Sequence, residues 1–398
     1  MHILLLNEYF PPDTSATAKC AALVAETLAE KHQVTVIAGR PSYDPTERHP
    51  PYLLRREVRG NLIVERVGST AYPRLEMRRR ATNYLTYLAL AVPRAISIRS
   101  DVILAMTDPP IEGIAGTLVA RLSGRPFVYN IRDLYPDMAI AGSIVRPGSF
   151  TERWEAMHRW ALRHADRVIV LGEDMRDRIV AKGVDPARVA ISRDGIEIPE
   201  SLPSPGNSVA REIRGDFNFV LVHAGNLGFY GAWETLIAAV RILEGEGVGL
   251  VFIGEGAMKS QIEALAAGCR AIRFLPFRPA NEIPLVLSSG DMHVVTVKRG
   301  LEGVVVPSKL YPTLAAGRPV LGIAPDESDV VRIIRRSGCG IAASPDDPSG
   351  VAQAVRGVLH SSEQLQTMGR RAREISFSYD RVMQLKIFTE TIEEVVRG

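Results

Sequence analysis

Cysteine is scarce in this chain: three residues, Cys20, Cys269 and Cys339, lie far apart in 398 and never at C-x-x-C spacing. That argues against a disulfide framework and a thiolate zinc site, suits a reducing cytoplasm, and leaves the three thiols as expected core residues. Long apolar runs are missing too. The nearest, Tyr84–Ile98, falls short of 18 residues and is broken by Pro93 and Arg94, so no membrane span is expected. Met1–Glu8 lacks the basic start and cleavage region of a signal peptide and reads as a buried strand. Low-complexity tracts, heptads and 20–50-residue repeats are absent, which sets aside disorder, coiled coils and solenoids. Net charge is only +3, and no nucleic-acid partner is expected.

The cations that are there sit unevenly. Arg74, Arg78, Arg79, Arg80, Arg94 and Arg99 flank or interrupt the Tyr84–Ile98 segment. A basic, apolar surface of this kind suits anionic lipid, giving the expectation of a cytoplasmic protein with peripheral contact to the inner face of the membrane. An ordinary core helix with a solvated arginine end accounts for the same pattern.

Length exceeds what one core supports, so two domains of about 200 residues are expected. Short β-branched runs alternate with helical stretches, the pattern of parallel sheets covered by helices. Strands are predicted at His2–Leu6, Gln33–Ile37, Asp101–Ala105, Pro126–Asn130 and Arg167–Leu171, with helices at Ala16–Lys31, Ile111–Leu122 and Trp154–Arg163. Cys20, Leu23, Val24, Thr27 and Leu28 mark the inner face of the first helix. The rhythm breaks near Arg193–Ile196, and Pro199, Pro203, Pro205 and Gly206 follow in a polar stretch. It restarts at Phe219–His223, with further strands at Gly249–Ile253, Ile272–Phe274, Met292–Val295 and Val320–Ile323 and helices at Ala232–Glu244 and Asp380–Arg397. The expected organisation is a Rossmann-like domain over 1–195, a linker over 196–217, a second Rossmann-like domain over 218–379, and a last helix over 380–398 packing back toward the first domain. Ligands of such sheets bind in the cleft at the carboxyl ends of the strands.

Two stretches carry chemistry. Gly225-Asn226-Leu227-Gly228 joins a strand to a helix, where glycines let backbone amides approach a phosphate. A tight turn needs the same glycines, and Gly254 and Gly256 read as such a turn. The richer stretch is Glu302–Val320: Pro307 or Ser308 marks a helix start, Gly317 its C-terminal cap, and Pro319 the departure into a strand. Free amides, the positive helix end and Lys309 suit a diphosphate, and Glu302 suits sugar hydroxyls.

Val306–Tyr311 and Ala315–Val320, the runs Val-Pro-Ser-Lys-Leu-Tyr and Ala-Ala-Gly-Arg-Pro-Val, resemble the donor-site signature of retaining GT-B glycosyltransferases of the "glycosyl transferases group 1" family, in its bacterial surface-polysaccharide branch. Glu8–Pro12, Asp101–Ile103, Arg132–Asp137, Gly225–Gly228 and Phe252–Gly256 extend the likeness along most of the chain. The resemblance implies a hexosyltransferase-type enzyme that moves sugar from a nucleotide-sugar donor to a glycan or polyprenyl-linked acceptor with retention of configuration. It implies that Glu302, Gly303 and Val304 face the donor sugar, that Ser308 and Lys309 face the diphosphate, with Gly225, Asn226 and Gly228 nearby, and that the base lies near Pro276, Phe277 and Arg278. Many relatives hold the ribose with a glutamate five residues before the capping glycine, where this chain has Pro312; the first glutamate, ten residues before Pro312 rather than eight, leaves the register of Glu302 open.

In the first domain Arg132, Asp133 and Asp137 fall at the acceptor side, where many relatives have a histidine. Asp133 is therefore the candidate for positioning or deprotonating the acceptor hydroxyl, a helix N-cap being its plain alternative. Asp133, Lys309 and Glu302 make up the catalytic set. No D-x-D after a strand and no His/Asp ligand cluster appears, so no metal and no cofactor is expected and Lys309 meets the leaving-group charge. A nucleotide-sugar 2-epimerase and a degenerate nucleotide-sugar-binding subunit are the rival readings.

Overall fold

The computed structural model describes residues 1–42, 50–72, 77–204 and 206–397, without the side chains of Met77 and Arg78; Arg74 and Pro205 lie outside the described residues. The first sheet has eight strands: β1 (His2–Leu6), β2 (Gln33–Ala38), β3 (Leu54–Arg59), β4 (Leu62–Val67), β5 (Val102–Ala105), β6 (Phe127–Asn130), β7 (Arg167–Val170) and β8 (Val189–Ile191), in the order β3-β4-β2-β1-β5-β6-β7-β8. All pairings are parallel except β3 with β4. The second sheet, wholly parallel, has β9 (Phe219–Ala224), β10 (Val248–Ile253), β11 (Ile272–Leu275), β12 (Met292–Thr296), β13 (Val320–Ile323) and β14 (Gly340–Ala343), in the order β11-β10-β9-β12-β13-β14. Ile3–Leu6 and Val220–Val222 are buried, as central parallel strands must be when helices cover both faces. Strand order reverses beside β1 and again beside β9, so the loops after those strands open onto the crevices where such sheets take ligands.

Several elements differ from expectation. The hairpin β3–β4 was not foreseen, because β4 buries Glu65 and Arg66 along with its apolar residues and shows no alternation. The helix Met77–Ser97 runs through Pro93, which reads as an interruption in the sequence. Tyr87, Ala91 and Ala95, four residues apart and buried, hold it to the core on both sides of the proline, and that packing offsets an interior proline's cost of about 3 kcal/mol. In the helix Ala16–Ala29 the buried face is Ala18, Ala21, Ala22, Val24, Ala25 and Leu28. Alanines permit close approach to the sheet, and Cys20 is left half-buried in a groove with Arg132 and Asp194 rather than in the core.

The chain crosses between the two sheets twice. After β8 it passes to the second sheet, and after Tyr379 it returns as the helix Arg381–Arg397, which sinks Phe388 and Ile392 into the core of the first sheet beside Ile3, Leu5 and Val102. The crossings are bonded to each other: Ile196 donates to the Tyr379 carbonyl and accepts from the Arg381 amide.

Two helices meet end to end across the domains. The Asp329 carboxylate accepts from the Glu173 amide at 3.2 Å, at the start of the helix Glu173–Ala181, and the Asp174 carboxylate accepts from the Asp329 amide at 3.0 Å, at the start of the helix Asp329–Ser337. Each helix thus caps the other. Arg193 joins Asp329 at 3.0 Å in a largely buried pair, while Arg332 and Arg336 hold Asp177 and Glu173 farther out.

Candidate active site

On the second domain the loops after β9 and β10 interlock. Leu227 donates to the Glu255 carbonyl, and a side chain on Gly254 would strike the Gly225 backbone at 2.1 Å. Gly225, at φ +134°, leaves room for the stem of Lys309: a Cβ there would lie 2.3 Å from Lys309 Cε. The ammonium donates to Tyr230 Oη at 3.0 Å and to the Asn226 carbonyl at 3.3 Å, and lies over the Tyr230 ring. Gly228 serves the fold: its carbonyl accepts from Trp233 Nε1, and a Cβ would meet the Tyr230 ring.

Lys309 stands at the rim of a cavity of ≈ 130 Å³ lined by Gly225, Ile253, Phe277, Arg278, Pro312 and Thr313, among others. Phe277 is 65% exposed at its mouth, and Arg278 is held by Glu212 and Glu282. Of the predicted donor residues, the structure therefore brings together Gly225, Phe277, Arg278 and Lys309. The helix begins at Leu310, not at Pro307 or Ser308. Ser308 donates back to the Val306 carbonyl and Leu310 to that of Pro307, so two tight turns precede the first full helical bond, from Thr313 to Lys309, and Ser308 is exposed. The Asn226 side chain is exposed as well.

Glu302, Gly303 and Val304 do not line that cavity; they form the turn that docks on the first domain. Glu302 accepts from Arg178 at 3.1 Å and from the Gly300 amide at 2.7 Å, Gly303 lies against the Asp174 backbone where a Cβ would clash at 2.5 Å, and the Val304 carbonyl accepts from Leu134. Glu302 is thus engaged in an interdomain ion pair, with one carboxylate oxygen on arginine and the other on a backbone amide.

On the first domain the ends of β1, β5 and β6 bring Glu8, Asp108 and Asp133 together with Arg80, Tyr84 and Tyr135. Asp133, half-buried, is pushed up to about 6 by burial and by the Asp108 charge, against the pull of Arg132. Burial first, then Asp108, raises Glu8 well above the usual carboxylate range. Arg132 itself is clamped to Asp194 at 2.5 Å, and Asp137 to Lys182 at 2.9 Å; both acceptor-side candidates hold the fold around Asp133 rather than offering free charges. Glu8 and Asp108 were missed as a pair with Asp133, since they come from three loops with no shared spacing. Leu134, next to Asp133, bonds Val304, five residues from Lys309, and so ties the two halves of the site across the cleft. Among the described residues no three His, Cys, Asp or Glu side chains are grouped to hold a metal ion, and no helix is long and apolar enough to cross a membrane.

Known proteins match at both levels. Residues 15–195 match a Glycosyl transferase 4-like domain, and residues 218–361 match Glycosyl transferases group 1. WcaI of Escherichia coli K12, named for colanic acid biosynthesis, is 24% identical over 380 residues, 90% of this chain and 92% of its own. The "Probable glycosyltransferase WbjE" of Pseudomonas aeruginosa is 26% identical over 264 residues, 65% of this chain and 66% of its own. Among solved structures, Anabaena HepE in complex with UDP superposes with a TM-score of 0.71 at 16% identity, covering 99% of this chain and all of that one. Sucrose-phosphate synthase from Thermosynechococcus elongatus gives 0.72 at 14% identity, each chain covered in full. Two parallel-sheet domains facing each other across a cleft, with the 4-like domain first and the group 1 domain second, place this chain in the GT-B glycosyltransferases of that family.

Proposed function

We propose that this glycosyltransferase takes a sugar from a nucleotide-sugar donor seated in the Phe277–Lys309 cavity and passes it, with retention of configuration, to a glycan or polyprenyl-linked acceptor in the building of a bacterial surface polysaccharide. One observation carries the reading: Lys309 is held by Gly225, Asn226 and Tyr230 at the mouth of an apolar cavity, beside the turn that reaches Asp133's loop. In this reading the nucleoside enters the cavity as the domains take up donor, its diphosphate meets the Lys309 ammonium, and the sugar is left toward the first domain. Relatives support this: HepE is solved with UDP and with UDP-glucose, and WcaI is named for a polysaccharide.

In the reaction the bond from the anomeric carbon to the diphosphate oxygen breaks and one to the acceptor oxygen forms on the same face, without an enzyme nucleophile. Lys309 offsets the charge growing on the diphosphate, in place of a metal, and Asp133, ionised above about pH 6, orients the acceptor hydroxyl and receives its proton. Closure along the Glu173–Asp329 contact excludes water and limits hydrolysis.

A panel of nucleotide sugars, with and without lipid-linked acceptor extract, tests this. Lys309→Ala should raise the donor dissociation constant about 10- to 150-fold, the equivalent of about 1.5–3 kcal/mol for a charge-assisted phosphate contact. Unchanged affinity would move the site elsewhere, an epimer formed without acceptor would make the protein an epimerase, and donor binding with no transfer would make it a binding subunit.

The acceptor's lipid would lie on the helices beside Asp133. Leu85, Leu118, Leu122, Phe150 and Met157 are exposed on Met77–Ser97, Glu112–Ser123 and Ser149–His164, which pack side by side, and Arg121, Arg125, Arg153 and Arg163 stand exposed on or beside the latter two. Apolar side chains among cations fit an anionic bilayer surface. The Tyr84–Ile98 segment contributes less than its sequence suggests, because Arg94 is paired with Glu65 and Arg80 points into the cluster with Glu8.

A further inference from the structure

The loop after β9 is not built to hold phosphate in the way its glycines suggest. The amides of Gly225 and Leu227 are already given to the Ile253 and Glu255 carbonyls, and the next helix, Trp233–Ile242, starts five residues past Gly228. What the glycines admit is side chains. Gly225 leaves room for the Lys309 stem and Gly228 for the Tyr230 ring, whose Cε1 would lie 2.4 Å from a Cβ there. The Tyr230 backbone is pinned in turn, its carbonyl accepting from the Lys298 amide at 2.7 Å just past β12.

An ammonium has three N–H donors. Lys309 directs one to Tyr230 Oη at 3.0 Å and one to the Asn226 carbonyl at 3.3 Å, and the Tyr230 hydroxyl gives its own proton to that same carbonyl at 2.8 Å. The three groups close a triangle, and one N–H of Lys309, which lines the cavity as Tyr230 does not, is left for a ligand. We propose that Tyr230 is a positioning residue for the donor's diphosphate: its hydroxyl fixes the Lys309 ammonium at the cavity rim so that the remaining N–H meets a phosphate oxygen. The pair thus does by side chains what the amides of Gly225 and Leu227, already bonded, do not. A lysine ammonium is a point charge on a flexible four-carbon stem, and a group held beforehand where the ligand needs it loses less freedom on binding. Tyr230 acts through Lys309 and touches no part of the donor. The inference rests on the nucleoside seat and the Lys309 contact proposed above.

Tyr230→Phe tests it, since it removes the hydroxyl and keeps the ring. Calorimetry of the full chain with UDP, CDP, GDP and ADP finds the diphosphate that binds. Tyr230→Phe should weaken that diphosphate about 2- to 12-fold, the range for one hydrogen bond. The uncharged nucleoside of the same base, followed by ligand-observed NMR, should bind parent and variant alike. In a Lys309→Ala background, Tyr230→Phe should change diphosphate affinity by less than about twofold, because nothing is left for the hydroxyl to position. Undiminished diphosphate affinity in Tyr230→Phe would overturn the role. An equal loss for the nucleoside, which marks a distorted loop, would do so as well, and so would an equal loss in the Lys309→Ala background, which marks an effect that bypasses Lys309. If Lys309→Ala alone left affinity unchanged, or no diphosphate bound, the donor seat itself would fall and this role with it.

Discussion

Replacing Asp133 with asparagine should make the protein more stable and less active at neutral pH. The ordinary aspartate value is 3.8, and burial with the neighbouring Asp108 charge raises it to about 6 in the fold. Below about pH 4 the carboxyl is protonated whether the chain is folded or not, and it costs nothing. Between about 4 and 6 the folded chain keeps a proton that the unfolded chain has lost. Above about 6 both are ionised and the full cost of holding the charge in the cluster is present. The rise of about two pH units, at about 1.36 kcal/mol each, amounts to about 2–3 kcal/mol. Asparagine has nearly the same shape and no charge, so Asp133→Asn should raise Tm by roughly 4–12 °C at pH 7.5, taking about 2–4 °C per kcal/mol for a domain of this size, and by almost nothing at pH 4. Differential scanning calorimetry of both proteins across that range reads this group together with its coupling to Asp108, since more distant titrations are shared. The same substitution should cut sugar transfer about 10²- to 10⁴-fold with donor affinity kept, and in the parent kcat/KM should fall as pH drops below about 6. A Tm gain that does not depend on pH, or transfer that survives the substitution, would refute both the charge cost and the proton-accepting role.

Other expectations follow from single contacts. Gly225→Ala puts a methyl 2.3 Å from Lys309 Cε at a φ that side chains avoid; donor affinity should fall as far as in Lys309→Ala, read by calorimetry, with a stability loss of about 1–3 kcal/mol. Asp329→Ala removes the cap from the Glu173–Ala181 helix and the partner of Arg193, and small-angle scattering should show a larger radius of gyration with donor present, accompanied by a higher KM. Leu122→Asp with Phe150→Asp, both exposed, should leave Tm within about 1 °C and abolish flotation with anionic liposomes at low salt.

The strands that carry the site could be read from sequence because they are buried on both faces: Ile3–Leu6 and Phe219–Val222 are continuous apolar runs followed by Asn7 and by His223. The β3–β4 edge could not, since Leu54–Arg59 is mostly charged and exposed while its partner buries Glu65 and Arg66, whose ion-pair partners lie on other segments. β14, with the sequence Gly-Ile-Ala-Ala, has too little side chain to announce a strand. Within the site, Lys309 was legible from local spacing, whereas its confinement by Gly225 and Tyr230 depends on residues some 80 positions away. Glu302 is the opposite case: its place in the motif suggested sugar, and what could not be read is that Arg178, 124 residues distant, bonds the carboxylate in the structure. The Glu8, Asp108 and Asp133 cluster exists only once β1, β5 and β6 are side by side.

The paired crossings at Ile196 bear on how the enzyme moves. Two strands of chain, stitched together by backbone bonds between Ile196 and the Tyr379–Arg381 turn, with Gly195 admitting Arg381 at a distance no side chain would allow, act as a two-ply strap. A single connecting chain lets two bodies swivel freely, whereas a two-ply strap bends readily across its width and resists torsion. Bending of one domain on the other across this strap is therefore easier than twisting about it, and such bending parts the cap bonds between Asp174 and Asp329.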